Sequence, residues 1–152
     1  MCEVGVVKVR AGEIKEEFQS LVDPGIPIPP GVTAINGITQ EMLEDAPFFR
    51  QVADEFCTFI GDDILAIYNA PFDMGFIQAE MKAIDFPPVR NRTLDVLVLA
   101  RRILRLVKHP LWYVAKYLDV AESQEHRALG DARVTAEVLL KLTDFPDCDI
   151  SL

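Results

Sequence analysis

The sequence predicts an α/β fold, and three observations carry that expectation. Two valine- and charge-rich segments near the start are joined by a tight turn, as in a hairpin. A short apolar run in the middle lacks polar alternation, which is how a strand buried on both faces reads. The remaining segments carry apolar residues at helical spacing, so helices cover the faces of a sheet.

Each element follows in chain order. Residues 2–10 (CEVGVVKVR) are short and valine-rich, and predict a strand. Ala11, Gly12 and Glu13 supply the turn, and residues 14–22 return as a second strand. Residues 23–32 (DPGIPIPPGV) hold four prolines and are expected as an extended loop, neither helix nor central strand. Thr39 is placed to cap a short helical turn over EMLEDA. Phe49, Val52, Ala53, Phe56 and Phe59 then share one helix face, with Gly61 as the stop. Residues 64–68 (ILAIY) are the buried strand, which runs through Asn69, Ala70 and Pro71 into a helix carrying Phe72, Phe76 and Ile77. Pro87 and Pro88 interrupt the chain before a helix with Val96, Leu99, Ala100, Ile103 and Val107 in register. Leu111, Val114, Ala115 and Leu118 mark a shorter helix, and residues 128–142 the last one. The tail FPDCDISL has no strong period, and neither repeats nor low-complexity segments occur.

Composition bounds the function. The chain has 152 residues, half of them apolar and 26% charged, which suits one domain over residues 1–152. No run approaches the ~20 apolar residues of a membrane span, and no basic-then-apolar leader is present, so secretion is not indicated. Cys2, Cys57 and Cys148 form no C-x-x-C pair, and free thiols in a reducing compartment, the cytoplasm, are expected. The net charge of −9 argues against general adhesion to nucleic acid. Yet residues 82–110 collect Lys82, Arg90, Arg92, Arg101, Arg102, Arg105 and Lys108 against only Asp85 and Asp95. Such a band can follow a phosphate backbone, or simply be the solvated face of a helix and its loops.

Two segments carry chemistry. In the first, Tyr68-Asn69-Ala70-Pro71-Phe72-Asp73, a carboxylate stands just beyond a strand end, where sheet and loop together fix and expose a metal ligand. Asp73 could equally complement a helix N-terminus. The second, His126-Arg127-Ala128-Leu129-Gly130-Asp131-Ala132, precedes the last helix. On one helix the histidine and Asp131 would point ~140° apart. They converge only if His126 lies in the entering loop. A surface histidine near a first-turn aspartate is the plainer alternative.

In this order and separation the two segments resemble the second and third motifs of the DEDDh-type (DnaQ-like) 3′–5′ exonucleases, and the likeness extends over essentially the whole chain. Within that family it runs toward the proofreading (epsilon) subunit of bacterial DNA polymerase III and its relatives. EVGVVKVRAGEI resembles the first hairpin, INGIT the following loop, NAPFD the second motif, LDVLVLARR the middle helix and HRALGDA the third motif. The resemblance implies a ribonuclease H-like mixed sheet flanked by helices. It implies that Asp73 and Asp131 are ligands of a divalent pair, Mg²⁺ or Mn²⁺, and that His126 is the general base toward the attacking water. Asn69 and Phe72 would help shape the nucleotide pocket, although Phe72 also fits a core position. Asp95 takes a structural role near the start of the middle helix. The implied partners are single-stranded or 3′-ended nucleic acid and a DNA polymerase subunit.

Two departures qualify this. Tyr68 stands where the family usually has histidine, a small change at the site's edge. More seriously, the family's first strand with its D-x-E carboxylates should come shortly before CEVGVV, and the given chain starts after that point. Glu3 matches a position in the second family strand. Two carboxylates leave most of the charge of a metal pair uncompensated, so the chain as given is expected to be inactive or nearly so. That strand lies centrally in the family, between the strands at 2–10 and 64–68. Its lack is expected to be met by a sheet that closes up across those segments, by a second copy in a dimer, or by a longer natural protein, the last being favoured biologically. A nuclease-dead module using the same groove for nucleic-acid or protein binding is the competing function. A flavodoxin-type doubly wound domain is disfavoured, since no glycine-rich phosphate loop follows a strand.

Overall fold

A computed structural model describes residues 1–121, 126–146 and 148. Strands β1 (Glu3–Arg10) and β2 (Glu13–Leu21) form the expected antiparallel hairpin. Ala11 and Gly12 both take positive φ (53° and 79°), the two-residue turn whose twist matches the flanking strands. The hairpin's register shifts at Lys8/Val9. Helices α1 (Pro30–Asn36), α2 (Gln40–Leu43) and α3 (Phe49–Ile60) follow, then β3 (Leu65–Ile67), α4 (Ala70–Ala83), β4 (Thr93–Asp95), α5 (Val96–Ile103), α6 (Leu111–Tyr117) and α7 (Ala128–Thr143).

The proline-rich loop ends sooner than expected. Pro30 opens α1, because a proline at the first helical position lacks only a donor that would have no partner there. Strand β4 was not anticipated. Its three residues pair in parallel with β3, Leu65 opposite Thr93 and Ile67 opposite Asp95, and a partner almost thirty positions away leaves no local pattern. The middle helix is shorter than its apolar period suggested. Leu104 turns extended to bury its side chain, and Val107 falls in the following loop, 98% exposed.

The apolar residues gather in two clusters. The first joins Val4, Phe18 and Val22 of the hairpin segment to Val52, Ala53, Phe56 and Ile60 of α3 and Met81 of α4. Its aromatic contacts are tilted, Phe18 lying 6.2 Å from Phe56 and 5.6 Å from Phe59. The second packs α5 and α6 on Val138 and Leu142 of α7. Helix α7 spans the two, touching β1, β2 and β3 as well as α5 and α6.

The sheet does not close up. Among the described residues β1 pairs only with β2, and β3 only with β4, so the expected pairing of residues 2–10 with 64–68 is not made. For the same reason β3 is half-buried throughout, rather than buried on both faces. What approaches β1 instead is the first turn of α7. A Cβ built on Gly5 would stand 2.3 Å from the Leu129 backbone nitrogen and 2.5 Å from the Ala128 carbonyl carbon, so only glycine lets the two backbones meet. Gly5→Ala is therefore expected to cost about 3 kcal/mol or to displace the start of α7. Urea unfolding monitored by far-UV circular dichroism checks this, and an unchanged midpoint would contradict it.

Candidate functional site

Three carboxylates build the framework of the site. Glu3 at the start of β1 has a side chain only 4% exposed, and it accepts from Arg127 through Nε (3.2 and 3.1 Å) and Nη2 (2.7 Å). It also accepts the Ala128 backbone N–H at 2.8 Å. The carboxylate thus caps α7 from another element, where the helix's own N-cap, Arg127, makes no side-chain cap bond. Burial pushes the Glu3 carboxyl up. The Arg127, Ala128 and Gln19 bonds outweigh it and hold the group below its ordinary value.

Asp95 does comparable work at the end of β4. Its Oδ2 accepts from Ala70 N (3.1 Å), the first residue of α4, and its Oδ1 from Leu97 N (2.9 Å) and Val98 N (3.2 Å) in α5. One carboxylate therefore fixes the starts of two helices, which extends the structural role expected for it at α5 alone. Asn69, between β3 and α4, takes the left-handed conformation (φ 68°, ψ 56°) that asparagine tolerates better than most side chains. That bend aims the first turn of α4, with Asp73, past the end of β3.

Asp73 and Asp131 are brought together from separate segments. Asp73 remains accessible to solvent, yet surrounding protein raises its carboxyl, and the charge of Asp131 raises it further, against a bond from its own backbone N–H. Asp131 sits in the opening turn of α7, its N–H bonded to Arg127 O at 2.9 Å. His126 lies two residues ahead of α7 with φ 54°, so it belongs to the entering loop and not the helix. That satisfies the geometric condition for convergence with Asp131. Its side chain is exposed.

Phe72 is not core. It is 61% exposed and meets Phe76 edge-to-face at 5.1 Å, leaving an aromatic pair on the surface of α4 beside Asp73. The apolar contacts of α4 with the core come from Met81 and Ile77 instead.

Tyr68 bridges the site to a second element. Its hydroxyl donates to the His109 carbonyl at 2.7 Å, tying the end of β3 to the loop between α5 and α6. Burial pushes this phenol up to about 12, Asp95 adding and Arg101 opposing. Tyr68, Asn69 and His109 line a cleft of about 680 Å³ together with the cations Arg101 and Lys108. Sequence reasoning placed these cations in a basic band without linking them to the Asn69 turn. Only the folded loop shows that link.

As to a metal, two facing carboxylates whose repulsion raises one of them are hard oxygen donors of the kind Mg²⁺ or Mn²⁺ takes. Among the described residues no group of three histidine, cysteine or acidic side chains gathers at metal-binding distance. The residues present offer hard oxygen donors that fit a divalent ion, and by themselves fall short of the ligand set for a pair of ions.

The two perturbed carboxylates lead to opposite pH dependences. Glu3 is depressed in the fold, so its contribution is full above the ordinary glutamate range and is lost as pH falls through the lowered value. Glu3→Gln should cost on the order of 2 kcal/mol at pH 7, with the gap to wild type closing in acid. Asp73 is raised, so ionising it opposes folding at neutral pH. Asp73→Asn should raise the melting midpoint on the order of 1–2 °C at pH 7, allowing for solvent screening, and confer nothing near pH 3. Melting curves of both variants from pH 3 to 8 test the pair.

Comparison with known proteins supplies the lineage. The sequence model of the exonuclease family (RNase_T) matches residues 1–139. DNA polymerase III PolC-type proteins from Oceanobacillus iheyensis and Bacillus subtilis are 39% identical over 141 and 142 residues, each alignment covering 92% of this chain. The one from Thermotoga maritima is 37% identical over 143 residues. This chain spans about a tenth of the length of those polymerases (10%). Among solved structures, exonuclease X in complex with 5′ overhanging duplex DNA superposes with a TM-score of 0.77 at 26% identity, covering 95% of this chain and 82% of that one. A 3′-exonuclease solved for its recognition of the histone mRNA stem-loop gives 0.76 at 12% identity, covering 94% and 82%, which speaks to fold alone. No helix among the described residues is long and apolar enough to cross a membrane. On fold, motifs and sequence together, the chain belongs to the exonuclease family with its ribonuclease H-like fold, on the DnaQ-like 3′–5′ branch.

Proposed function

We propose that this chain is the nuclease module of a 3′–5′ exonuclease of the DNA polymerase III proofreading type, releasing nucleotides from nucleic-acid 3′ ends. One observation carries the proposal: Asp73 and Asp131, from segments almost sixty residues apart, share one electrostatic environment. Burial raises the Asp73 carboxyl and the charge of Asp131 raises it further, against a bond from its own backbone N–H. A cation bound at the pair would relieve that repulsion.

In this reading Asp73 and Asp131 hold Mg²⁺ or Mn²⁺, whose chemistry is to activate water and stabilise the leaving oxygen of a phosphodiester. The chain's own residues position the rest. His126, presented by its left-handed backbone ahead of α7, takes the proton of the attacking water. Asn69 and the exposed Phe72 shape the pocket of the terminal nucleotide, the aromatic ring offering a stacking face. The working place is the cytoplasm, and the partner beyond the substrate is a polymerase subunit, in line with what the PolC-type relatives are named for. By itself the chain turns over slowly or not at all, because two carboxylates leave most of the charge of a metal pair uncompensated. An extended segment bearing D-x-E, laid between β1 and β3, supplies the missing charge, either from a longer form of the protein or from a second copy.

The test is hydrolysis of a 5′-labelled oligonucleotide in Mn²⁺, by the chain alone and by the chain extended with a D-x-E strand ahead of residue 1. The extended form should shorten the label stepwise from the 3′ end, and Asp131→Ala or His126→Ala should lower the rate by a factor on the order of 10² or more. The chain alone should give little product. Strong hydrolysis by the chain alone, abolished in Asp131→Ala, would refute its low activity. Oligonucleotide binding without hydrolysis by the extended form would favour a nuclease-dead binding module.

A further inference from the structure

Some of the cations of this acidic chain are held by carboxylates. Lys8 and Arg10 pair with Asp63, Lys15 with Glu13, Arg127 with Glu3 and Arg133 with Glu17. Arg101 and Lys108, which both line the cleft beside Asn69, have no acidic partner among the described residues. Both side chains are exposed. Asp95, whose charge reaches Tyr68 in the same cleft, is occupied by three backbone N–H groups. Two cations without an acidic partner in one cleft attract an anion. Arg90 and Arg92 bring similar charge to the cleft lined by residues 86–92, and what sets this one apart is the aromatic pair beside Lys108.

The surroundings narrow the kind of anion. Lys108 Nζ lies 4.5 Å from the ring centre of Trp112 and 5.0 Å from that of Tyr113, and the two rings are edge-to-face at 5.5 Å. Trp112 is 38% exposed. Cations beside partly exposed aromatic rings form the combination that takes successive phosphates and bases of a single strand, with Lys108 displaced from the ring when a base stacks there. A free anion has no use for the ring. The loop carrying Lys108 is held in place by the Tyr68 hydroxyl on the His109 carbonyl, and His109 Nε2 is 3.2 Å from Leu104 O. We infer that this cleft binds the phosphodiester backbone of a single-stranded nucleic acid leading up to the 3′ end, with Arg101 and Lys108 as the phosphate contacts, Trp112 as the base platform, and Tyr68 as the residue that positions the loop. The inference rests on the exonuclease reading for the direction of the strand, while the binding itself stands apart from catalysis.

Trp112 is the chain's only tryptophan and lies against Lys108 at the cleft's edge, so its emission reports on this part of the chain. The experiment titrates the full chain, without divalent metal, with short oligothymidylate and oligouridylate, following Trp112 emission and the anisotropy of a labelled strand. Both strands are expected to quench Trp112, since phosphate and base face are common to them. Arg101→Ala/Lys108→Ala should weaken binding about tenfold and make the slope of log K against log salt shallower by about 1.4, two phosphates' worth. Tyr68→Phe, which removes no charge, should weaken binding with the slope unchanged. Arg90→Ala/Arg92→Ala, in a separate cleft lined by residues 86–92, serves as the control and should alter neither. Three results would overturn the inference: binding without any Trp112 response, an equal slope change in both double variants, or a response to inorganic phosphate but to neither strand. Failure here leaves the hydrolysis experiment to judge the exonuclease reading, and failure there leaves this cleft's binding to be judged by its own salt slope.

Discussion

The structure depends on one buried carboxylate. Glu3 holds Arg127 and the first N–H of α7, and two residues along the same strand Gly5 lets that helix turn come within touching distance of the backbone. These contacts set where α7 begins and how it is rotated, and Asp131 is carried on its opening turn. Because α7 also packs on β3, α5 and α6, the same contacts register the first apolar cluster against the second. A lysine at 127 would keep charge but lose the forked geometry that meets both carboxylate oxygens.

A division of labour among the acids follows. Glu3 and Asp95 are saturated by donors, and their value is positional. Asp73 is raised by burial and by the charge of Asp131, a cost that the surrounding frame must hold in place. The saturated pair sits at helix starts, and each start carries or abuts a member of the strained pair: Asp95 at the head of α4 with Asp73, Glu3 at the head of α7 with Asp131. The frame is therefore built of the same chemical group as the site, distinguished only by what neutralises it.

Much of this was legible in the sequence, for identifiable reasons. The hairpin turn, the Thr39 cap (Met42 N to Oγ1, 3.3 Å) and the α3 face follow from local rules, and the structure repeats them. The pairing of Asp73 with the third segment was suggested by motif order, which reports ancestry more than geometry. What escaped was nonlocal. Strand β4 exists because β3 needs a partner, Val107 is exposed because Leu104 leaves the helix to reach the core, and Phe72 faces outward because Met81 and Ile77 already fill the inner side of α4. The closed-up sheet failed because α7, not β3, is what meets β1. Parts of the tail lie outside the described residues.

The Glu3–Arg127 contact joins residues 124 positions apart. On a ribosome adding about 5–20 residues per second, the hairpin is made roughly 6–25 s before the arginine that secures it exists. During that interval the inward-facing acid of β1 has water for a partner, and the slot beside the strand stays open to passing chains. The two aspartates, likewise, cannot meet until the chain has been made as far as Asp131. The nascent protein is thus spared their repulsion while its first cluster condenses, and acquires its charged centre only as α7 docks.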